Sequence, residues 1–251
     1  MPSPTFTMQT PPAVMGHRGI PSLAPENTLG GFRKAADVGV RWIELDVTLL
    51  SDGTPVVSHD TTTARCGNHA TRLDQLTIDS LDGLDMAAHV EHWPAEPLPL
   101  LVDTLRLLST LGMGLNLEIK DYGLPTADVV AAVVNALQST DFPSETLIIS
   151  SFSLNLLAET LNQAPHVRRG WIITDLPNDW RTEAERLALF SLHADWRHLN
   201  PQRVQAIKQA GLYLYAWTAN APSEVASLWH WGLDGVITDY PQRFMTTHEA
   251  K

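Results

Sequence analysis

The chain predicts an α/β fold, a parallel (β/α)8 barrel, on three observations. Eight short β-branched runs alternate with longer segments of helical period, and each pair begins with its strand. Size is the third: the 251 residues suit one domain over 1–251, since α/β barrels commonly reach about 200 to 250 residues as a single unit. Open parallel sheets usually carry fewer strands.

In chain order the strands are expected at Val14–Arg18, Trp42–Leu49, Leu115–Lys120, Thr146–Phe152, Gly170–Thr174, Leu192–Trp196, Tyr213–Thr218 and Gly235–Thr238. Helices are expected at Thr28–Val38, Leu100–Leu111, Ala127–Ser139, Leu154–Gln163, Arg181–Leu189, Pro201–Gln209 and Pro222–His230, with a stub after Pro241. Gly39, Gly112, Gly211 and Gly232 follow helical stretches where a left-handed cap is favoured, and Pro201 sits in a first helical turn. From about Thr61 to Pro99 the periodicity fades into Gly, Pro, His and Asp. That stretch is too long for an ordinary βα loop and is expected to be a small insertion after the second strand, over the barrel mouth.

Composition narrows the function classes. Lys and Arg number 17 against 28 Asp and Glu, a formal charge of −11. Such a field repels nucleic acid and anionic membranes, so neither is an expected partner, and an anionic substrate needs local cations. A 44% hydrophobic share with 18% charged residues supports one large core and excludes disordered classes. The lone Cys66 excludes an intramolecular disulfide framework and fits a reducing compartment. Met1–Pro12 lacks the basic start and apolar run of a secretory leader, and apolar stretches such as Val129–Leu137 are too short to span a bilayer. A cytoplasmic protein without stable membrane association is expected. Trp93, Trp180, Trp196, Trp229 and Trp231 suit a subunit contact or a core equally, which leaves the oligomeric state open.

Barrel active sites lie at the C-terminal ends of the strands, so polar residues there carry the chemistry. In Trp42–Leu50, Glu44 and Asp46 share one face of an apolar strand, with α-carbons roughly 7 Å apart. Two ionised carboxylates in a barrel interior repel each other unless a cation binds or one takes a proton. On the next strand, Glu118 and Lys120 share a face, and Glu118 adds a third carboxylate. An all-oxygen set suits Mg²⁺ or Ca²⁺ rather than zinc. Solvated acids on an outward face, and a simple Glu118–Lys120 ion pair, are the bland alternatives.

Of ten histidines, His69, His89, His92, His166, His198, His230 and His248 read as surface residues. His17 ends the first strand, and His59 follows the apolar Pro55–Ser58. Two imidazoles at one mouth can supply a base and an acid near neutral pH. His193 is a weaker candidate. Arg18, followed by Gly19, offers a bidentate cation for phosphate. In Pro25–Thr28, Asn27 or Thr28 reads as a helix N-cap, with Glu26 favoured by the helix dipole. Phe152 and Trp217 end strands where an apolar wall could receive substrate carbons, or they pack the barrel top.

His17-Arg-Gly19, Pro25-Glu-Asn-Thr28, Glu44-x-Asp46, His59-Asp60 and Glu118-x-Lys120 together resemble the ordered motif set of the glycerophosphodiester phosphodiesterase family. The similarity runs from about Met15 to Pro241 and includes Ser150-Ser-Phe152, Ala216-Trp-Thr218 and Gly235–Asp239. The cytosolic bacterial branch is the most similar. The resemblance implies a TIM barrel, one divalent cation (Mg²⁺ or Ca²⁺), and hydrolysis of small glycerophosphodiesters to sn-glycerol 3-phosphate and an alcohol. It implies His17 and His59 as the acid–base pair, Glu44, Asp46 and Glu118 as metal ligands, and Arg18 and Lys120 as phosphate contacts, with acceptance by His17 and donation by His59. Three carboxylates, a divalent cation and two basic side chains leave a slight positive excess to face a phosphodiester anion. A metal-independent phosphodiesterase like phosphatidylinositol phospholipase C would place a cation where these acids stand. A non-catalytic sugar-phosphate-binding barrel would need no histidine pair.

Overall fold

Strand β2 (Trp42–Leu49) shows how period-two patterning builds the structure. Ile43, Leu45, Val47 and Leu49 face outward into the main hydrophobic core, while Trp42, Glu44, Asp46 and Thr48 occupy the opposite face. All eight residues are buried, as expected for a parallel strand covered on both sides.

The computed structural model describes residues 12–248, with side chains as far as Met245. The stretch before Pro12, read for a leader, and the side chain of His248 lie outside the described residues. Strands β1 (Val14–His17), β2, β4 (Gly114–Ile119), β5 (Leu147–Ser151), β6 (Arg168–Ile173), β7 (Ser191–Asp195), β8 (Tyr213–Trp217) and β9 (Gly235–Thr238) pair in parallel. Pairing of β1 with both β9 and β2 closes the ring into a (β/α)8 barrel. Helices α1 (Leu29–Val38), α2 (Leu101–Leu111), α3 (Thr126–Ser139), α4 (Leu154–Gln163), α5 (Trp180–Arg186), α6 (Pro201–Gln209), α7 (Ala226–Trp231) and α8 (Gln242–His248) complete it. Among the described residues, no helix is long and apolar enough to cross a membrane.

The departures from expectation are local. A ninth strand, β3 (Pro55–Val57), pairs antiparallel with β2 outside the barrel, and three residues are too few to show a period. Helix α5 stops at Arg186 because Ala188 adopts a left-handed φ of 45°, which no glycine advertises. The helix expected from Pro222 begins as a separate 3-10 turn over Pro222–Glu224, with α7 following Val225. The segment after β3 holds two further 3-10 turns, Leu73–Gln75 and Ile78–Ser80. It closes over its own small core of Leu50, Val56, Leu73, Met86 and Leu98. Trp180 is buried, and Trp93, Trp196, Trp229 and Trp231 pack half-buried against the main cores.

Candidate active site

Parallel register sets the site. The β1–β2 pairing puts His17 beside Glu44, and the β2–β4 pairing puts Asp46 beside Glu118. One carboxylate oxygen from each of Glu44, Asp46 and Glu118 lies within 4.8 Å of the other two, and all three side chains are buried. His59 arrives by another route. The chain reverses after β2, β3 runs back along it, and the Ser58 N–H donates to the Asp46 carbonyl at 3.0 Å. That contact places His59 against the same cavity as His17, Glu44 and Glu118.

The Gly16–Gly19 turn aims Arg18 inward. Arg18 (φ 50°) and Gly19 (φ 94°) are both left-handed, and a Cβ at Gly16 would fall 2.0 Å from the Gly19 carbonyl oxygen. A left-handed non-glycine residue is costly unless its surroundings hold it. Here the Arg18 N–H donates to Glu44 Oε2 at 3.1 Å, and its guanidinium donates to Glu26 Oε1 at 2.9 Å. Asn27, also left-handed at φ 52°, donates its N–H to the Arg18 carbonyl and its side-chain amide to Asp46 Oδ2 at 2.9 Å. The N-cap of α1 is therefore Thr28, whose Oγ1 accepts from the Gly31 N–H. Glu26 is engaged by the guanidiniums of Arg18 and Arg65 rather than by the helix end.

Each imidazole is oriented by a carboxylate. His17 Nδ1 lies 2.6 Å from Asp239 Oδ1, leaving Nε2 toward Glu44 at 3.9 Å. His59 Nδ1 lies 2.7 Å from Asp60 Oδ1, and the Tyr122 hydroxyl donates to the His59 carbonyl. Lys120 sits among the acids, 2.7 Å from Glu118 Oε1 and 3.0 Å from Asp46 Oδ1. The simple Glu118–Lys120 pair thus exists and extends to Asp46. Phe152, about half exposed, meets Trp217 edge-on at 5.7 Å between ring centroids. Both line the same cavity, which has a volume of about 170 Å³.

Burial, and then the Asp46 charge, push the Glu44 carboxyl up to about 8 and raise Glu118 as well. Burial alone would raise Asp46 too, but Lys120 and then Arg18 hold it below its ordinary value. Burial opposes charge on His17, yet the Asp239 hydrogen bond and Glu44 raise it overall. For His59 burial prevails and lowers it, against Asp46 and Asp60. The cluster thus holds more acid than its two cations can neutralise. It also offers only oxygen ligands, and Asp46 Oδ1 meets Lys120 at ion-pair distance without hydrogen-bond geometry. A hard divalent cation fits this donor set.

A stability prediction follows from the sign of the Glu44 shift. Folded Glu44 keeps a proton that the unfolded chain releases, so without a cation stability falls as pH rises through the window from about 4.5 to about 8. In excess chelator the melting temperature should therefore drop from about pH 5 to pH 8. Glu44→Gln should flatten the slope. Differential scanning fluorimetry across that range checks both; an unchanged slope would contradict the shift.

Several residues of the site escape sequence reasoning. Asp239 carries a readable signal, a carboxylate ending an apolar strand run, but Arg65 and Tyr122 sit in loops with no periodicity. His193 lies wholly inside the barrel, with Nε2 2.9 Å from Ser191 Oγ and Nδ1 3.5 Å from Asn116 Nδ2. Burial pushes it down to about 3 and keeps it neutral. His69, His89, His92, His166, His198 and His230 are exposed.

A model of the glycerophosphoryl diester phosphodiesterase family matches residues 17–243. A glycerophosphodiester phosphodiesterase of Caldanaerobacter subterraneus subsp. tengcongensis is 31% identical over 231 residues, spanning 91% of this chain and 94% of the relative. Among solved structures, an Oleispira antarctica phosphodiesterase in complex with the product sn-glycerol-3-phosphate superposes with a TM-score of 0.88 at 33% identity, covering 95% of this chain and 97% of its own. A Thermotoga maritima glycerophosphodiester phosphodiesterase gives 0.76 at 27% identity, covering 94% and 98%. With a match running through nearly the whole barrel and through both histidine-bearing strand ends, the chain belongs to the glycerophosphoryl diester phosphodiesterase family.

Proposed function

We propose that the protein hydrolyses small glycerophosphodiesters to sn-glycerol 3-phosphate and an alcohol, using a divalent cation, Mg²⁺ or Ca²⁺, held by Glu44, Asp46 and Glu118. The observation that carries this reading is the convergence of those three buried carboxylates in one cavity with two carboxylate-oriented imidazoles. The Oleispira relative's product complex supports the substrate class.

Bound there, a divalent cation would polarise a phosphoryl oxygen and relieve the Glu44 pull that favours a proton on His17. Arg18 and Lys120 flank the acids and would contact the remaining phosphoryl oxygens. Asp239 fixes the His17 Nδ1 side, so Nε2 faces the cavity and accepts the proton of the attacking oxygen. Asp60 fixes His59 likewise, and His59, protonated before the step, returns a proton to the departing alcohol oxygen as the P–O bond breaks. Phe152 and Trp217 offer an apolar wall to the glycerol carbons or the leaving alcohol. The half-buried single thiol of Cys66 is in keeping with a cytoplasmic setting.

The test is glycerol 3-phosphate release from glycerophosphocholine before chelation, after it, and with each cation added back. Release should vanish in excess chelator and return with Mg²⁺ or Ca²⁺. Full activity in chelator would assign the three acids another role, and binding without release would favour a non-catalytic barrel.

A further inference from the structure

We propose that Arg65, in the segment after β3, is a positioning residue that sets both the proton-donating imidazole and the phosphate-binding guanidinium through the carboxylates that orient them. The inference rests on the functional reading above. Arg65 Nε donates to Asp60 Oδ2 at 2.7 Å, and Asp60 Oδ1 holds His59 Nδ1 at 2.7 Å. The other edge of the same guanidinium grips Glu26, Nη1 to Oε2 at 2.6 Å and Nη2 to Oε1 at 2.8 Å. Glu26 Oε1 in turn accepts from Arg18 Nη1 at 2.9 Å. One planar cation therefore spans two carboxylates, and through them His59 and Arg18, whose backbones approach from different βα loops.

The backbone carrying Arg65 is itself fixed. Thr63, fully buried, donates its N–H to the Thr71 carbonyl at 2.9 Å, and the Leu73 N–H reaches the Thr61 carbonyl at 2.9 Å. Beyond Arg65, the Asn68 N–H donates to the Asp85 carbonyl at 3.0 Å. The segment thus presents Arg65 to the charged machinery from a backbone held on both sides. Arg65 has a side chain 48% exposed, so solvent screens its ion pairs and they add little to stability. Geometry is what it supplies. A five-donor fork can bridge two carboxylates at once, whereas an ammonium makes a point contact with one.

The experiment compares wild type, R65Q, R65K, D60N and the R65Q/D60N double variant for hydrolysis of glycerophosphocholine. Long-range ¹⁵N–¹H spectra of the imidazoles report the His59 tautomer alongside. R65Q should lower kcat by about 10- to 100-fold, the scale of lost outer-shell partners, with a melting temperature near that of wild type. R65K should recover little. The double variant should lose less than the product of the two single losses, because part of the Arg65 effect passes through Asp60. At a pH where the His59 ring is neutral, it should be a pure Nδ1–H tautomer in wild type and a mixture in R65Q. Wild-type kcat in R65Q and R65K, additive effects in the double variant, or an unchanged tautomer would overturn the proposal. The spectra need no turnover, so an inactive wild type would sink the functional reading while leaving the hold on His59 open to test. Should R65Q fail to fold, R65K and D60N carry the same comparison.

Discussion

His17→Ala is expected to fold as wild type does while losing about 10² to 10⁴ in kcat, the usual worth of a general acid or base, and His59→Ala should behave alike. Folding should survive for identifiable reasons. Without His17, Asp239 keeps the Asn220 side-chain amide at 2.8 Å and the Asn220 Oδ1 contact to its own N–H at 2.9 Å. Without His59, Asp60 keeps Arg65. Neither change strands a buried charge, so melting temperatures should move by only a few degrees. Steady-state rates beside thermal melts check this; near-normal turnover in both variants would remove acid–base catalysis by these imidazoles.

Glu44→Gln and Asp46→Ala should both abolish cation-dependent activity yet move stability in opposite directions. Gln keeps the shape of Glu44 and can still accept the Arg18 N–H, but it removes a negative charge that burial and Asp46 disfavour. The metal-free variant should therefore be at least as stable as wild type at pH 8. Loss of an outer-shell partner already costs roughly 10- to 100-fold in metal affinity or activity, so loss of a ligand should cost no less. Asp46 is different. It faces Lys120, Arg18 and the Asn27 amide from a fully enclosed position. Removing one member of a buried charge group costs on the order of 3 to 5 kcal/mol, so Asp46→Ala should be markedly destabilised. Calorimetric titration with Ca²⁺ and chemical denaturation of the metal-free proteins check the pair. Equal destabilisation in both would show that Glu44 carries no excess charge burden.

Local periodicity explains what was legible in the sequence. Strand β2 announces its two faces through Ile43, Leu45 and Val47 against Glu44 and Asp46, and a partner strand ending in Glu118 completes the acidic set once parallel register is assumed. His17 is visible because it terminates an apolar run. What stays hidden depends on closure of the chain. Asp239 meets His17 across 222 positions of sequence, because the last strand closes on the first. Arg65 reaches Glu26 across 39 positions from a segment without period. Asn27 looks like a cap residue until its left-handed backbone turns its amide to Asp46. Strand β3 is too short to read, yet its pairing with β2 is what carries His59 to the site.

The most direct measurement is an anomalous-scattering map from crystals of the protein grown with Mn²⁺, a hard divalent ion of the same ligand preference. Expected is a strong peak enclosed by Glu44, Asp46 and Glu118, on the cavity side that His17 and His59 share. A map with no peak among the three acids, or with the ion bound elsewhere while hydrolysis continues, would contradict the shared metal and imidazole site.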